Sequence, residues 1–284
     1  MIQLKSVAIV GVGLIGGSIG LALQHHKIAE RVIGIGRDRC RLRKAYEVGA
    51  VTETATWDDE LAGGLAGAEF VVVCTPVDSV PEQVRQAARH APRGTLITDI
   101  GSTKRTIVEA LAGHLPNDCR FVGSHPLAGS EKTGVLHADR YLLAGRVVII
   151  TPTPDTAPSD ADRVAAFWQA LGAKVLSMTA AEHDRAAALT SHLPHALAVA
   201  LAAGLPDQMR DLAGSGFRDT TRVAAGDPEM WRQIFIDNRE DLLESIGLFR
   251  ELLDRLAAAI GEGHELELKD LLTLAKKNRD ALGS

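Results

Sequence analysis

Residues 6–10 form a short apolar run and residues 14–25 an apolar stretch of helical length; between them the chain reads Gly11-Val12-Gly13-Leu14-Ile15-Gly16. A Gly-x-Gly-x-x-Gly spacing carries little information alone, but behind a strand and at the mouth of a helix it demands a βαβ unit. Gly11 permits the tight turn, Gly13 lets the backbone approach a pyrophosphate, and Gly16 lets the helix pack on the strand. The first N–H groups of such a helix have no partners within it, so they offer an anion both donors and the positive end of the dipole. Leu14 and Ile15 at the helix start, with Thr75 and Pro76 after the run 70–74, complete the predicted cofactor-binding set.

The alternation continues well beyond this unit. Apolar runs at 31–36, 70–74, 95–100, 121–123 and 147–150 are separated by helical segments near 41–48, 79–90 and 103–112, which predicts a parallel sheet covered on both faces. The Pro-rich, acidic stretch 151–160 reads as a boundary, yet a helix at 162–171 and a strand at 174–178 are assigned to the same sheet. From residue 180 the strand signal stops. Residues 182–205 are Ala/Leu-rich, and 228–260 repeats apolar residues at helical spacing, among them Ile234, Leu242, Ile246, Phe249, Leu253 and Leu256. Asp227, Pro228 and Glu229 supply an N-cap, a first-turn proline and an acidic first turn; Gly247 is a point where this long helix could bend. The expected architecture is α/β: a Rossmann-like doubly wound domain over residues 1–178, then an all-α domain over 179–284. So much apolar helical surface is more easily buried between two subunits than within a small domain, so a homodimer through the C-terminal helices is expected.

Composition excludes some partners. With 31 basic and 36 acidic residues the net charge is −5, which gives no electrostatic case for nucleic acid or membrane binding and leaves small acidic metabolites open. Cys40, Cys74 and Cys119 form no CxxC pair and read as small buried hydrophobes in a reducing compartment. No charged leader and no uninterrupted apolar stretch of about 18 residues is seen, so the cytoplasm is the expected location.

At the end of the second strand an NAD site usually carries an acid for the ribose 2′-hydroxyl. Here Gly36 occupies that place and Arg37-Asp38-Arg39 follows. A guanidinium at Arg37, helped by Arg39, suits the 2′-phosphate of NADP, so NADP is expected, with NAD as the other possibility.

Further motifs recur in a fixed order: Asp99-Ile100-Gly101-Ser102-Thr103-Lys104, then Gly123-Ser124-His125-Pro126-Leu127-Ala128-Gly129-Ser130-Glu131-Lys132, then Ser191-His192-Leu193-Pro194-His195, then Gly216-Phe217-Arg218-Asp219-Thr220-Thr221-Arg222, with Asp227-Pro228-Glu229-Met230-Trp231 after them. With the glycine turn, these segments resemble the prephenate/arogenate dehydrogenase family over almost the whole chain. The resemblance implies an oxidative decarboxylation in tyrosine biosynthesis, yielding 4-hydroxyphenylpyruvate or tyrosine. Hydride leaves a ring carbon only as its hydroxyl gives up a proton, so a base of near-neutral pKa must touch that oxygen. His125, in a loop expected at the carboxyl edge of the sheet, matches the family's catalytic histidine. Ser102 matches a residue that orients the imidazole or holds the substrate oxygen; capping the next helix is its other reading.

For a small carboxylate substrate the resemblance implies further residues. Arg222 matches the ring-carboxylate arginine and His195 the second histidine, whereas His192 is expected to support the helix interior. Ser130 and Glu131 match positions beside the substrate side chain. Trp231 is expected either to reach a neighbouring subunit's pocket or to pack locally. No carboxylate or third ligand completes a metal set with the two histidines, so no metal is expected. Two other readings share the glycine turn: a β-hydroxyacid or imine-type NADP dehydrogenase, expected to use a catalytic lysine or to lack the Gly-Ser-His-Pro segment, and a non-catalytic NADP-sensing module.

Overall fold

The computed structural model of the protein describes residues 2–58, 60–129 and 132–283. The glycine turn joins β1 (Leu4–Val10) to α1 (Leu14–His25), and β2 (Ala29–Gly36) completes the βαβ unit. There follow α2 (Arg39–Glu47), β3 (Glu53–Thr56), α3 (Leu61–Leu65), β4 (Phe70–Val73), α4 (Val80–His90), β5 (Leu96–Asp99), α5 (Arg105–Ala110) and β6 (Arg120–Phe121). Six strands make one parallel sheet in the order β3-β2-β1-β4-β5-β6, so strand order reverses between β1 and β4. Strand β3 was not expected: its sequence, Glu-Thr-Ala-Thr, lies at the sheet edge and lacks an apolar run.

Alternate residues of each strand serve opposite faces. Val7 and Ile9 of β1, with Phe70, Val72 and Leu96, pack with Ile19, Leu23, Phe167 and Trp168. Their neighbours Ala8 and Val10, with Val71, Val73 and Ile97, pack with Leu65, Val80, Val84 and Ile107. Both faces are therefore dry, as a parallel sheet requires.

One expectation fails after β6. Val122 still donates its N–H to the Ile97 carbonyl, but the N–H of Ser124 turns to the Asp99 side chain, and the chain leaves the sheet. Residues 123–126 become β7 (Gly123–Pro126), antiparallel to β8 (Val147–Thr151); α6 (Pro158–Ala170) then leads to β9 (Lys174–Ser177), parallel to β8. These three strands form a separate sheet, so the strand predicted at 174–178 does not extend the parallel one, and His125 sits in a strand, not in a loop.

Helix α7 (Ala180–Ala187) starts with a capping box between Thr179 and Glu182 and runs through a wide turn, Ala188–His192, into α8 (Leu193–Ala203). Pro194 has no N–H to give to the carbonyl four residues back, which accounts for a widened turn there. The consequence is a changed register: the buried positions run His183, Ala187, His192, His195, Ala198, with one step of five. By length and apolar content Ala180–Ala203 would pass for a membrane span, but it turns buried, hydrogen-bonded His183, Asp184 and His192 inward. Next come α9 (Ser215–Thr221) and α10 (Pro228–Asp237), the latter capped by Asp227 as expected.

The long helix predicted over 228–260 is broken at Asn238, where φ is −107° and ψ 32°, while Gly247 lies inside the uninterrupted α11 (Arg239–Gly261). The chain divides into two compact units at this break, Met1–Asn238 and Arg239–Ser284. In the second unit α11 packs on α12 (Glu265–Ala281), and Leu243, Leu248, Leu252, Leu253 and Ile260 stand exposed. Of the cysteines, Cys119 is buried and Cys74 half-buried; Cys40 is exposed on α2, contrary to expectation, because it lies on that helix's solvent side.

Candidate active site

Strand register aligns Val10, Val73 and Asp99 across β1, β4 and β5, so the residues that follow them share one carboxyl-terminal edge. At its centre is the glycine turn. Gly11 has φ +90°, and a Cβ there would stand 2.7 Å from the Cys74 carbonyl oxygen and 2.8 Å from Thr75 Cγ2. At Gly16 a Cβ would run into the Gly11 carbonyl. Gly13, by contrast, faces open space, and α1 has no side-chain cap on its first turn. A pyrophosphate needs such a turn: packed beneath, open above and lined by unpaired N–H donors. Leu14 and Ile15 begin α1 half-buried; Thr75 is held by its hydroxyl on Gln83, 2.7 Å, and Pro76 is exposed. At the end of β2 Arg37 is exposed, Asp38 is occupied as the cap of α2, and Arg39 lies 3.6 Å from Glu60.

One strand further along the edge, Asp99 organises a buried polar knot. Its Oδ2 pairs with the Lys104 ammonium and accepts the Gly101 N–H at 2.7 Å; its Oδ1 accepts the Ser124 N–H at 3.0 Å. Asp99 and Lys104 are both fully buried. Burial pulls the Lys104 ammonium below its ordinary range, against the opposing pull of Asp99, Asp184 and Asp237. The Ser124 hydroxyl is equally committed. It accepts the Trp168 indole N–H at 3.0 Å and donates to Thr98 Oγ1 at 2.6 Å, whose own hydrogen goes to the Val122 carbonyl. Ser124 is thus fixed through backbone and side chain, and with it the backbone beside His125.

His125 is half-buried, and its Nδ1 lies 2.8 Å from Nε2 of His183. On the far side His183 Nδ1 meets Asp184 Oδ1 at 2.7 Å. Asp184 also accepts the N–H groups of Lys104 and Arg105, at 2.7 and 2.8 Å, and so caps the start of α5 from another part of the chain. Ser102, half-buried before α5, does not cap it. Burial would raise the Asp184 carboxyl, but the bonds from His183, Arg105 and Lys104 hold it below the usual carboxylate range. Burial, reinforced by His183, Lys104 and His192, holds the His125 imidazole well below its ordinary range, so it is neutral at pH 7 and able to accept a proton.

The two histidines on the widened helix have different surroundings. His192 accepts from the Asn238 amide, 3.1 Å, and is pushed down to about 4 chiefly by burial. His195 stacks on Trp231 of the same chain with ring centroids 3.5 Å apart, and its buried Nδ1 has no partner among the described residues. Gly226 completes this group, since a Cβ there would meet Trp231 Nε1 at 2.5 Å. Arg222 is exposed at the head of the short turn Arg222–Ala225, which packs on α8 beside His195. Ser130 and Glu131 lie outside the described residues.

The structure therefore gathers His125 and Ser102 beside the Asp99–Lys104 pair, and separately His195, Trp231 and the Arg222 turn. Four residues of the first group escaped sequence reasoning as site residues: Asp99, Lys104, His183 and Asp184. A signal for the last two existed in the polar pair at the inward positions of an Ala/Leu-rich helix; nothing local tied them to His125.

The chain is similar to known proteins over nearly its whole length. Residues 19–177 match the family model described as prephenate dehydrogenase, nucleotide-binding domain, and residues 179–274 the one described as prephenate dehydrogenase, dimerization domain. Prephenate dehydrogenase of Bacillus subtilis is 31% identical over 99% of this chain and 77% of its own length. Among solved structures, prephenate dehydrogenase from A. aeolicus in complex with hydroxyphenyl propionate and NAD+ superposes with a TM-score of 0.87 at 31% identity, over 98% of each chain. Arogenate dehydrogenase of Synechocystis gives 0.81 at 30% identity, over 98% of this chain and 100% of its own.

Proposed function

Because this chain belongs to the prephenate dehydrogenase family and is a nicotinamide-dependent dehydrogenase, we propose that it oxidatively decarboxylates prephenate or arogenate with NADP as its preferred cofactor. The observation that carries this reading is the anchoring of His125 through its neighbour Ser124, whose N–H is held by Asp99 at the carboxyl-terminal edge that also carries the open glycine turn.

The residues divide the work as the chemistry requires. Gly11, Gly13 and Gly16 with the N–H groups at Leu14 and Ile15 hold the pyrophosphate, Thr75 and Pro76 border it, and Arg37 takes the 2′-phosphate. The nicotinamide, when bound, accepts the hydride from the ring carbon that bears the hydroxyl. His125 takes the hydroxyl proton as that hydride departs, Ser102 orients the same oxygen, and carbon dioxide leaves from the opposite ring carbon. The bond electrons left behind complete the aromatic ring as a phenolate, to which His125 returns its proton. Arg222 and His195 hold substrate carboxylate, Trp231 closes the pocket over His195, and the family resemblance assigns to Ser130 and Glu131 the choice between a keto acid and an amino acid. In this reading residues 1–178 bind the nucleotide and 179–284 complete the substrate site and dimerise, with the exposed leucines of α11 at the contact between copies. A cytoplasmic location accords with the free cysteines.

The test is turnover measured with both acids and both nucleotides, following reduced nicotinamide. His125→Asn is expected to bind NADP as the parent does and to lose about 10²–10⁴ in kcat. Cofactor binding without reduction of nicotinamide by either acid would refute the reading.

A further inference from the structure

We infer that His183 and Asp184 are positioning residues that hold His125 in the tautomer protonated at Nδ1, so that Nε2 carries the lone pair that receives the substrate proton. The inference rests on the base role of His125 proposed above. Its geometry stands by itself.

Asp184 is almost fully buried and its carboxylate meets three fixed groups: its Oδ1 faces the Lys104 N–H and His183 Nδ1, and its Oδ2 the Arg105 N–H. An ionised carboxylate only accepts, so His183 Nδ1 carries its hydrogen. In neutral His183 the other nitrogen, Nε2, has a lone pair and no hydrogen. The atom 2.8 Å away, His125 Nδ1, must then be the donor. A neutral imidazole has one N–H, and with that hydrogen committed to His183 the reactive lone pair is left on Nε2. When Nε2 takes up the hydroxyl proton, the new imidazolium keeps its Nδ1–H directed at His183, whose dipole is in turn oriented by the Asp184 charge.

Charged and titratable groups around the chain are consistent with this order. Lys104 is neutralised by Asp99, with Asp184 and Asp237 beyond, and His192 is held neutral against the Asn238 amide. The opposite arrangement, a cationic His183 donating from Nε2 to His125 Nδ1, would put the His125 hydrogen on Nε2 and block it as a base. Two tautomers thus make opposite predictions for one nitrogen.

Nitrogen-15 NMR of the whole protein with labelled histidine reads that nitrogen without relying on activity. At the pH of full activity the expected signals are a protonated Nδ1 and an unprotonated Nε2 for His125, assigned by their loss in His125→Asn. A protonated Nε2 on His125 would overturn the inference. Kinetics supply the second arm. His183→Leu is expected to lower kcat about 10- to 100-fold and to displace the acid limb of the kcat–pH profile, with KM for cofactor and substrate within about twofold. His183→Gln, whose amide can both donate to Asp184 and accept from His125, is expected to recover part of that loss. Equal changes in KM and stability with an unshifted pH profile would mark His183 as structural only and refute the positioning role. If His125→Asn retains full activity, the base assignment fails instead, and the tautomer signals still report on the His125–His183 contact.

Discussion

Replacing Asp99 by asparagine removes the carboxylate that pairs with the buried Lys104 ammonium, and the size of the effect can be worked from the contacts. Breaking a buried pair by deleting one partner costs about 3–5 kcal/mol, because the survivor is left charged in a medium that cannot solvate it. The two halves of this pair are not equivalent. Without Lys104, Asp99 still accepts N–H groups from Gly101 and Ser124, so Lys104→Met belongs at the low end, about 3 kcal/mol. Without the Asp99 charge, Lys104 retains only the more distant pull of Asp184 and Asp237, and the amide replacing the carboxylate satisfies the two backbone donors less well. Asp99→Asn therefore belongs near 5 kcal/mol. At about 2–4 °C per kcal/mol for a chain of this size, Lys104→Met lowers Tm by roughly 6–12 °C and Asp99→Asn by roughly 10–20 °C. In the double variant no uncompensated charge remains, so its Tm is expected above that of Asp99→Asn alone. Differential scanning calorimetry of the four proteins measures this directly. Equal single losses that simply add in the double variant would refute the reasoning, since they would mean the two side chains act independently.

Three other outcomes are expected. His192 is held neutral at about 4 when folded against about 6.5 when unfolded, so the unfolded chain binds the extra proton first and stability falls as pH drops from 6.5 to 4, by about 3 kcal/mol. His125 and His195, also lowered, act in the same direction, and urea midpoints at pH 7, 5.5 and 4.5 should show a slope that His192→Gln reduces. Gly13→Ala should fold with an unaltered Tm and bind cofactor at least about tenfold more weakly by calorimetry, whereas Gly16→Ala should lose stability itself, because its methyl group meets the Gly11 carbonyl. Arg37→Ala should raise KM for NADP by about one to two orders of magnitude, the worth of a charge-assisted bond, and leave KM for NAD in place; parallel rises for both nucleotides would remove the 2′-phosphate role.

The parts legible from sequence are those whose physics is local. The glycine turn is one: a positive φ at Gly11 and contact-distance packing at Gly16 are demands on single residues, and an apolar strand before and helix after them complete the unit. Asp227 and Pro228 start a helix for equally local reasons. Family resemblance added His125, Ser102, His195 and Arg222, because it reads ordered motifs and not contacts. Local patterns failed where the deciding partner was far along the chain. The polar edge strand β3 exists through pairing with β2, and residues 123–126 leave the parallel sheet because a side chain 25 positions earlier, that of Asp99, captures the Ser124 N–H.

What sequence alone determined, then, is the class of fold, the glycine turn and the histidine proposed as the base. Tertiary structure decided what surrounds that imidazole. His183 and Asp184 lie 58 and 59 positions beyond His125, on a helix whose register is shifted by the wide turn at Ala188–His192, and only packing brings them to the imidazole. A hydrogen bond specifies a tautomer through distance and direction in space, and neither is encoded in the order of residues along the chain.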